Sequence, residues 1–315
     1  MQDSAPLGQK PVHHFMTSAS APAVTPPASH APAGEKALSF PLGETLPALG
    51  QALEVAPGIL WIRMQLPFAL DHINLWLLED SEETATGVRK GWTAVDCGVT
   101  NPGTQAAWEQ VFAGPMKGLP ILRVLVTHMH PDHMGLAHWL CEQFNAPLWM
   151  SATEYQAALL ASTGASNFGG LSTQKFFADH GWREPSDQQQ IKDRVSYYAK
   201  MVPTVPEAYH RLMHDRALQI GGRTWRCISG FGHSPEHIAL YSEEANVLIS
   251  GDMVLPKIST NVKPRCFMGS WRGHHGKGRQ AVGGQRQLPV ALQQHQPLRR
   301  NERLGAEHQH LGAGR

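Results

Sequence analysis

The 315-residue sequence lacks several features that define whole classes of proteins. It contains no run of about 18 apolar residues, so we expect no transmembrane helix. Residues 1–10 hold no apolar block, so we expect no secretory signal. The formal net charge is only +1, which argues against binding nucleic acid through overall basicity. These absences predict a soluble, cytoplasmic protein with no membrane partner.

Cysteine is also scarce, and its spacing shows no CxxC or other short pairing. The four thiols are Cys97, Cys141, Cys227 and Cys266. Without paired spacing they are expected to be buried or incidental thiols in a reducing compartment, which excludes a disulfide framework.

Composition divides the chain into three parts. Residues 1–44 are rich in Ala, Pro and Ser and are predicted to be disordered, because they cannot bury enough apolar surface to offset their ordering entropy. Residues 45–262 have a globular pattern. Residues 263–315 hold ten Lys/Arg against two Glu, with nine Gly and seven Gln, and are predicted to be unstructured. This segment could be a basic arm that binds nucleic acid or a sequence that was never selected to fold, for example after a reading-frame shift near Val262. We favour the second interpretation because the composition changes abruptly.

The central part alternates strand-like and helical runs, which predicts layered α/β architecture. Strands are predicted at 58–64, 72–78, 91–96, 121–127, 147–150, 223–229, 238–242 and 246–250. Helices are predicted at 103–112, 133–144 and 152–162, the last opened by the capping-box pair Ser151 and Glu154. The segment 165–217 is expected to be helical or loop-like, and we treat 151–217 as a helical insertion that shapes a pocket.

The densest chemical signal is the run THMHPDH at 127–133, which closes the apolar run before it. His128 and His130 stand two apart at a strand end, so both imidazoles project from one face. Asp132 and His133 follow in the turn before the next helix. Burying such a cluster without a metal would leave several polar groups unpaired, at about 1–3 kcal/mol each. Imidazole and carboxylate together suit zinc, and also iron or manganese.

Two further motifs follow later strands. GFGHSPEH at 230–237 places His233 in a glycine- and proline-flanked loop that allows the backbone to approach a metal closely. SGD at 250–252 offers the single carboxylate of Asp252. Either motif alone is weak, but after the HxHxDH run their order is specific.

Together, HMHPDH, GHSPEH and SGD resemble the metallo-β-lactamase-fold superfamily of metallohydrolases over about residues 55–262. The resemblance implies a four-layer αββα sandwich with a dinuclear metal site at one sheet edge. It also implies hydrolysis by a metal-bound hydroxide. The substrate classes it leaves open are esters, thioesters, lactones and phosphodiesters.

The resemblance also implies roles for individual residues. His128, His130 and His233 would hold one zinc, Asp132 and His133 a second, and Asp252 would bridge both. Asp132 would also act catalytically, by orienting the water or relaying its proton, and Asp96 would orient the histidine loop by hydrogen bonding. We expect Glu236 and His237 to stabilise their loop rather than bind metal, and His138 to be solvated or packed.

One expected ligand is missing from the pattern. The family usually supplies a late histidine for the second metal, together with a further strand and helix. The candidates His274, His275, His308 and His310 all lie in the unusual tail, and no convincing strand precedes them. The C-terminal part of the fold is therefore expected to be incomplete or altered, and the second metal lacks an identified last ligand.

Three alternative functions remain. One is an iron oxygenase on the same fold, with a single metal held by two histidines and a carboxylate. Another is a nuclease that uses the basic tail as a substrate arm. The last is a non-catalytic member whose final elements have been replaced.

Overall fold

Two β-sheets packed face to face form the framework of the protein. A computed structural model describes residues 40–67, 71–164, 170–254 and 290–291. In that part of the chain, a seven-stranded and a five-stranded sheet enclose a core built from both, including Trp61 and Leu125 of the first sheet and Trp225 and Leu240 of the second. Burying each such side chain stabilises the fold by about 1.5–3 kcal/mol.

The first sheet follows chain order. Its strands are β1 (Ala52–Ala56), β2 (Ile59–Gln65), β3 (His72–Thr84), β4 (Gly87–Val95), β5 (Ile121–Leu125), β6 (Leu148–Ser151) and β7 (Tyr209–Leu212). Strands β1 to β4 are antiparallel, whereas β4 to β7 run parallel. The carboxyl ends of β4, β5 and β6 therefore meet at one edge, where ligand-binding groups of parallel sheets collect.

The second sheet contributes to the same edge. Its strands are β8 (Ala217–Ile220), β9 (Arg223–Gly230), β10 (His237–Ser242), β11 (Val247–Ile249) and β12 (Val290–Ala291). Strands β8 to β11 are antiparallel, and β12 pairs in parallel with β11. The Ile238 N–H donates to the Thr127 carbonyl at 2.9 Å, which joins the loop after β5 to the start of β10.

Helices cover the outer face of the first sheet. The described helices are α1 (Pro102–Ala113), α2 (Pro131–Met134), α3 (Ala137–Phe144), α4 (Ala152–Ser162), α5 (Gly170–Asp179), α6 (Pro185–Asp193) and α7 (Tyr197–Met201). Trp108 of α1, Leu140 of α3 and Ala158 of α4 are fully buried against strand residues such as Leu77 and Val124. In the described residues, no helix is both long and apolar enough to cross a membrane.

The strand predictions hold for all eight proposed strands, although β3 continues past its predicted end at Leu78 to Thr84 and other ends shift by smaller amounts. Among the described strands, four were not predicted: β1, β7, β8 and the two-residue β12. The expectation of helix or loop up to residue 217 is wrong at β7, which pairs with β6 in the first sheet. Strand β7 has the sequence YHRL, in which His210 and Arg211 are exposed and only Leu212 is fully buried, so its hydrophobic pattern is weak.

The prediction of a single helix at 133–144 is also wrong, because the helix is interrupted between α2 and α3. Gly135 stands at the break and packs against backbone. A Cβ there would lie 2.6 Å from the Gly98 carbonyl oxygen and 2.7 Å from the Thr100 nitrogen. This close approach fixes the histidine loop against the segment after β4.

The predicted domain limits stay predictions. The tail histidines His274, His275, His308 and His310, like Cys266 and residues 1–39, lie outside the described residues. Cys97, Cys141 and Cys227 are free thiols.

Candidate metal centre

Four predicted ligands come together at the shared sheet edge. His128 and His130 follow β5, His233 follows β9 and Asp252 follows β11. One ligand atom from each lies within 4.8 Å of the others, a spacing that could hold a metal ion. His128 Nε2 lies 2.8 Å from His130 Nδ1 and 3.2 Å from His233 Nε2.

A second group lies beside the first and shares Asp252 with it. His133 Nε2 lies 3.4 Å from Asp252 Oδ1 and 3.7 Å from Asp132 Oδ2. The other oxygen, Asp252 Oδ2, lies 3.2 Å from His233 Nε2 and 4.0 Å from His128 Nε2. The carboxylate of Asp252 therefore presents one oxygen to each group of donors.

Asp96 holds the histidine loop, residues 127–133, by hydrogen bonds. It follows β4 with a φ of 63°, in the left-handed region that Asp tolerates better than most residues. Its carboxylate accepts the Thr127 N–H at 2.8 Å and the Thr127 hydroxyl at 2.9 Å. The same carboxylate lies 2.8 Å from His133 Nδ1. Because an ionised carboxylate only accepts, Nδ1 carries the proton and Nε2 faces the site.

The His133 ring shows that the residues present fit a cation. Its Nε2 atom is buried and, in the described structure, has no hydrogen-bond partner, yet it faces the two carboxylates of Asp132 and Asp252. Burial alone would lower the pKa of His133, but the carboxylates of Asp96, Asp252 and Asp132 outweigh it and hold the pKa well above the usual range. The arrangement calls for positive charge at this point, and a divalent metal ion would supply it.

The electrostatic environment of the first group, His128, His130, His233 and Asp252, suits metal binding. Burial, together with the neighbouring imidazoles of His133, His130 and His237, holds the pKa of His128 well below its usual range. A neutral imidazole leaves a lone pair available, which metal coordination requires. The donor set of imidazoles and carboxylates suits zinc, iron or manganese.

The His237 side chain positions Asp252 by binding the backbone N–H of Asp252. His237 is fully buried, and its Nε2 accepts the Asp252 N–H at 3.1 Å. Gly251, with a φ of 49°, allows this approach, because a Cβ at this position would collide with the His237 ring. His138 stays on α3, where its Nε2 lies 3.3 Å from a Glu142 carboxylate oxygen.

Comparison with known proteins identifies the family. A family model described as the metallo-beta-lactamase superfamily matches residues 73–289, which is more than half of the chain. The chain belongs to the metallo-β-lactamase superfamily. This match confirms the resemblance drawn from the HxHxDH, GHSPEH and SGD motifs, and members of this superfamily bind metal ions.

Solved structures of this superfamily confirm the predicted α/β fold. A beta-lactamase domain protein from Burkholderia ambifaria is 50% identical, with a TM-score of 0.62 over 71% of this chain and 62% of that one. A metallo-beta-lactamase family protein from Thermus thermophilus is 28% identical, with a TM-score of 0.53 over 66% of this chain and 64% of that one.

A curated relative is named as a hydrolase. Its name is "Probable metallo-hydrolase YqjP", from Bacillus subtilis (strain 168), and it is 22% identical over 64% of this chain. The chain spans 59% of the length of that relative.

Proposed function

We propose that this superfamily member is a metal-dependent hydrolase with a dinuclear centre. His128, His130 and His233 would hold one ion, Asp132 and His133 the other, and Asp252 would bridge them. The observation that carries the proposal is the Asp252 carboxylate, whose two oxygens face the two histidine groups at 3.2 and 3.4 Å. We expect two zinc ions, with iron or manganese as alternatives.

The chemistry follows from the donor set. Two divalent cations held there would supply Lewis acidity, lowering the pKa of a water towards neutrality and polarising the scissile oxygen of the substrate. The Asp132 side chain lies beside His133 and is partly exposed, so its carboxylate can orient that water or accept its proton.

The proposed substrates are small molecules that carry an ester, thioester, lactone or phosphodiester bond. In each, attack on a carbonyl or phosphoryl centre develops negative charge on oxygen, which this centre is placed to stabilise. The aromatic and helical segment from α4 to α7 lies next to the histidine loop, since the Tyr198 hydroxyl donates to the Met129 carbonyl at 2.6 Å. Specificity among these substrates is therefore expected to reside in that segment.

The test is a substrate panel on the full chain, assayed with zinc, manganese and ferrous iron and again after chelation. The proposal expects turnover of at least one p-nitrophenyl ester, thioester, lactone or phosphodiester, lost on chelation and restored by metal. Absence of chelator-sensitive hydrolysis across the panel would contradict it. Oxygen uptake with ferrous iron alone, without hydrolysis, would instead indicate the mononuclear oxygenase.

A further inference from the structure

A buried carboxylate outside the ligand set connects the two histidine loops. Glu154, on the first turn of α4, is fully buried. The sequence pattern assigns it to a capping box, and the first half of that motif is present, since the Glu154 N–H donates to Ser151 Oγ at 3.3 Å. Its carboxylate, however, is directed to other partners.

Three uncharged donors from both loops bind the Glu154 carboxylate. Oε2 accepts the N–H of Met129, the residue between His128 and His130, at 2.8 Å. Oε1 accepts the hydroxyl of Ser234, which follows His233, and the N–H of Glu236, both at 2.6 Å. One side chain thus spans a loop of the first sheet and a loop of the second.

The helix that carries Glu154 is itself anchored to the second loop. The Ser151 hydroxyl donates to the Glu236 carbonyl at 3.0 Å, and the Thr153 hydroxyl donates to the Glu236 carboxylate at 2.7 Å. Because Glu154 is held at both its backbone and its carboxylate, it has little freedom to follow a loop that moves. This is the geometry of a fixed spacer between two ligand-bearing loops.

We propose that Glu154 is a positioning residue that sets the spacing of His128 and His130 relative to His233, and so sets the metal affinity of the first site. The inference rests on the proposed function, because it assumes that these three histidines bind metal. It adds a requirement that the ligands alone do not include, namely a charged acceptor shared by both loops. Hydrogen bonds to an ionised carboxylate are about twice as strong as those between neutral groups.

Substitution with glutamine isolates this role. The amide of Glu154→Gln keeps the volume of the side chain but replaces one acceptor oxygen with an NH₂ donor. If the amide nitrogen faces Met129, it opposes that N–H. If it faces Ser234, it opposes the N–H of Glu236. Either orientation leaves one loop without its anchor, while the fold keeps the packing of α4.

The experiment measures zinc affinity of the full chain by competition with a chromophoric chelator, together with the cobalt(II) absorption spectrum and the melting temperature. Mutation of a residue that supports metal ligands typically lowers the metal affinity about 10- to 100-fold. We expect a loss of zinc affinity in that range for Glu154→Gln, together with an altered cobalt spectrum. Ser162→Ala is the control, because it removes a bond at the other end of the same helix, where the Ser162 hydroxyl donates to the Leu159 carbonyl at 2.8 Å, and it should stay within about twofold of the wild type.

The outcomes distinguish a failure of this inference from a failure of the proposed function. Wild-type zinc affinity and cobalt spectrum in Glu154→Gln, even with a lower melting temperature, would overturn the positioning role. If the His128→Ala/His130→Ala variant also keeps zinc, the metal site itself fails. Should Glu154→Gln not fold, Ser234→Ala decides, because it removes one donor and adds none. Loss of this hydrogen bond to the Glu154 carboxylate is expected to lower the zinc affinity about threefold or more, and an unchanged affinity would overturn the proposal.

Discussion

The double substitution His128→Ala/His130→Ala is expected to remove tightly bound metal from the first site and to abolish any hydrolytic turnover. These two side chains supply two of the four donor atoms that lie within 4.8 Å of one another. With both absent, His233 and Asp252 alone cannot complete a tetrahedral site. The folded domain should persist, because the loop is still held by Asp96 at Thr127 and by Glu154 at Met129.

The measurement is metal content by elemental mass spectrometry, with circular dichroism to establish folding. His138→Ala is the matched control, since His138 lies on α3 and pairs there with Glu142, away from the assigned ligands. We expect that control to keep wild-type metal content. Equal metal content in the double variant and the control would show that the assigned ligands are wrong.

Asp96→Ala is expected to cause the largest loss of stability among single substitutions at the centre. It removes the acceptor of the Thr127 N–H, the Thr127 hydroxyl and His133 Nδ1, all of which are buried. Removing one partner of a buried pair typically costs about 3–5 kcal/mol. The alanine would also occupy a φ of 63°, which costs about 1–2 kcal/mol.

A second aspartate separates the backbone cost from the carboxylate cost. Asp215 has a φ of 59°, but its side chain is exposed and pairs with Arg226 at the surface. Asp215→Ala therefore carries the same backbone penalty and loses only exposed contacts with Arg226 and His214, and an exposed ion pair is worth about 0–1 kcal/mol. Denaturant unfolding should place Asp96→Ala about 2 kcal/mol or more below Asp215→Ala. Equal stability of the two variants would contradict the supporting role of Asp96.

The strands that frame the centre were predictable because their hydrophobic signal is strong. Residues 121–125 are all apolar except Arg123, and the HxHxDH motif begins shortly after them. The edge strands β1 and β7 were missed because they are only partly buried, which weakens the alternation that identifies a strand. The break at Gly135 depends on backbone from the loop after β4, a contact that local pattern does not reveal.

The residues proposed as ligands carry a signal in the sequence, whereas the buried contacts of Glu154 do not. Histidines at a strand end carry a chemical signal in themselves, and so does an aspartate after a strand when the motifs occur in order. Glu154 carries a signal too, but a local one, because Ser-x-x-Glu before an apolar run is typical of a helix start. Its contacts with Met129 and Ser234 depend on two loops that are 25 and 80 residues away in the sequence.

The metal content of the full chain, purified without added metal and measured by elemental mass spectrometry, tests the central claim most directly. Two divalent ions per chain is the predicted result, with the second held by His133, Asp132 and the shared Asp252. A single ion would contradict the dinuclear assignment and leave only the site of His128, His130 and His233. No stoichiometric metal, even after incubation with zinc, manganese or iron, would contradict the account as a whole.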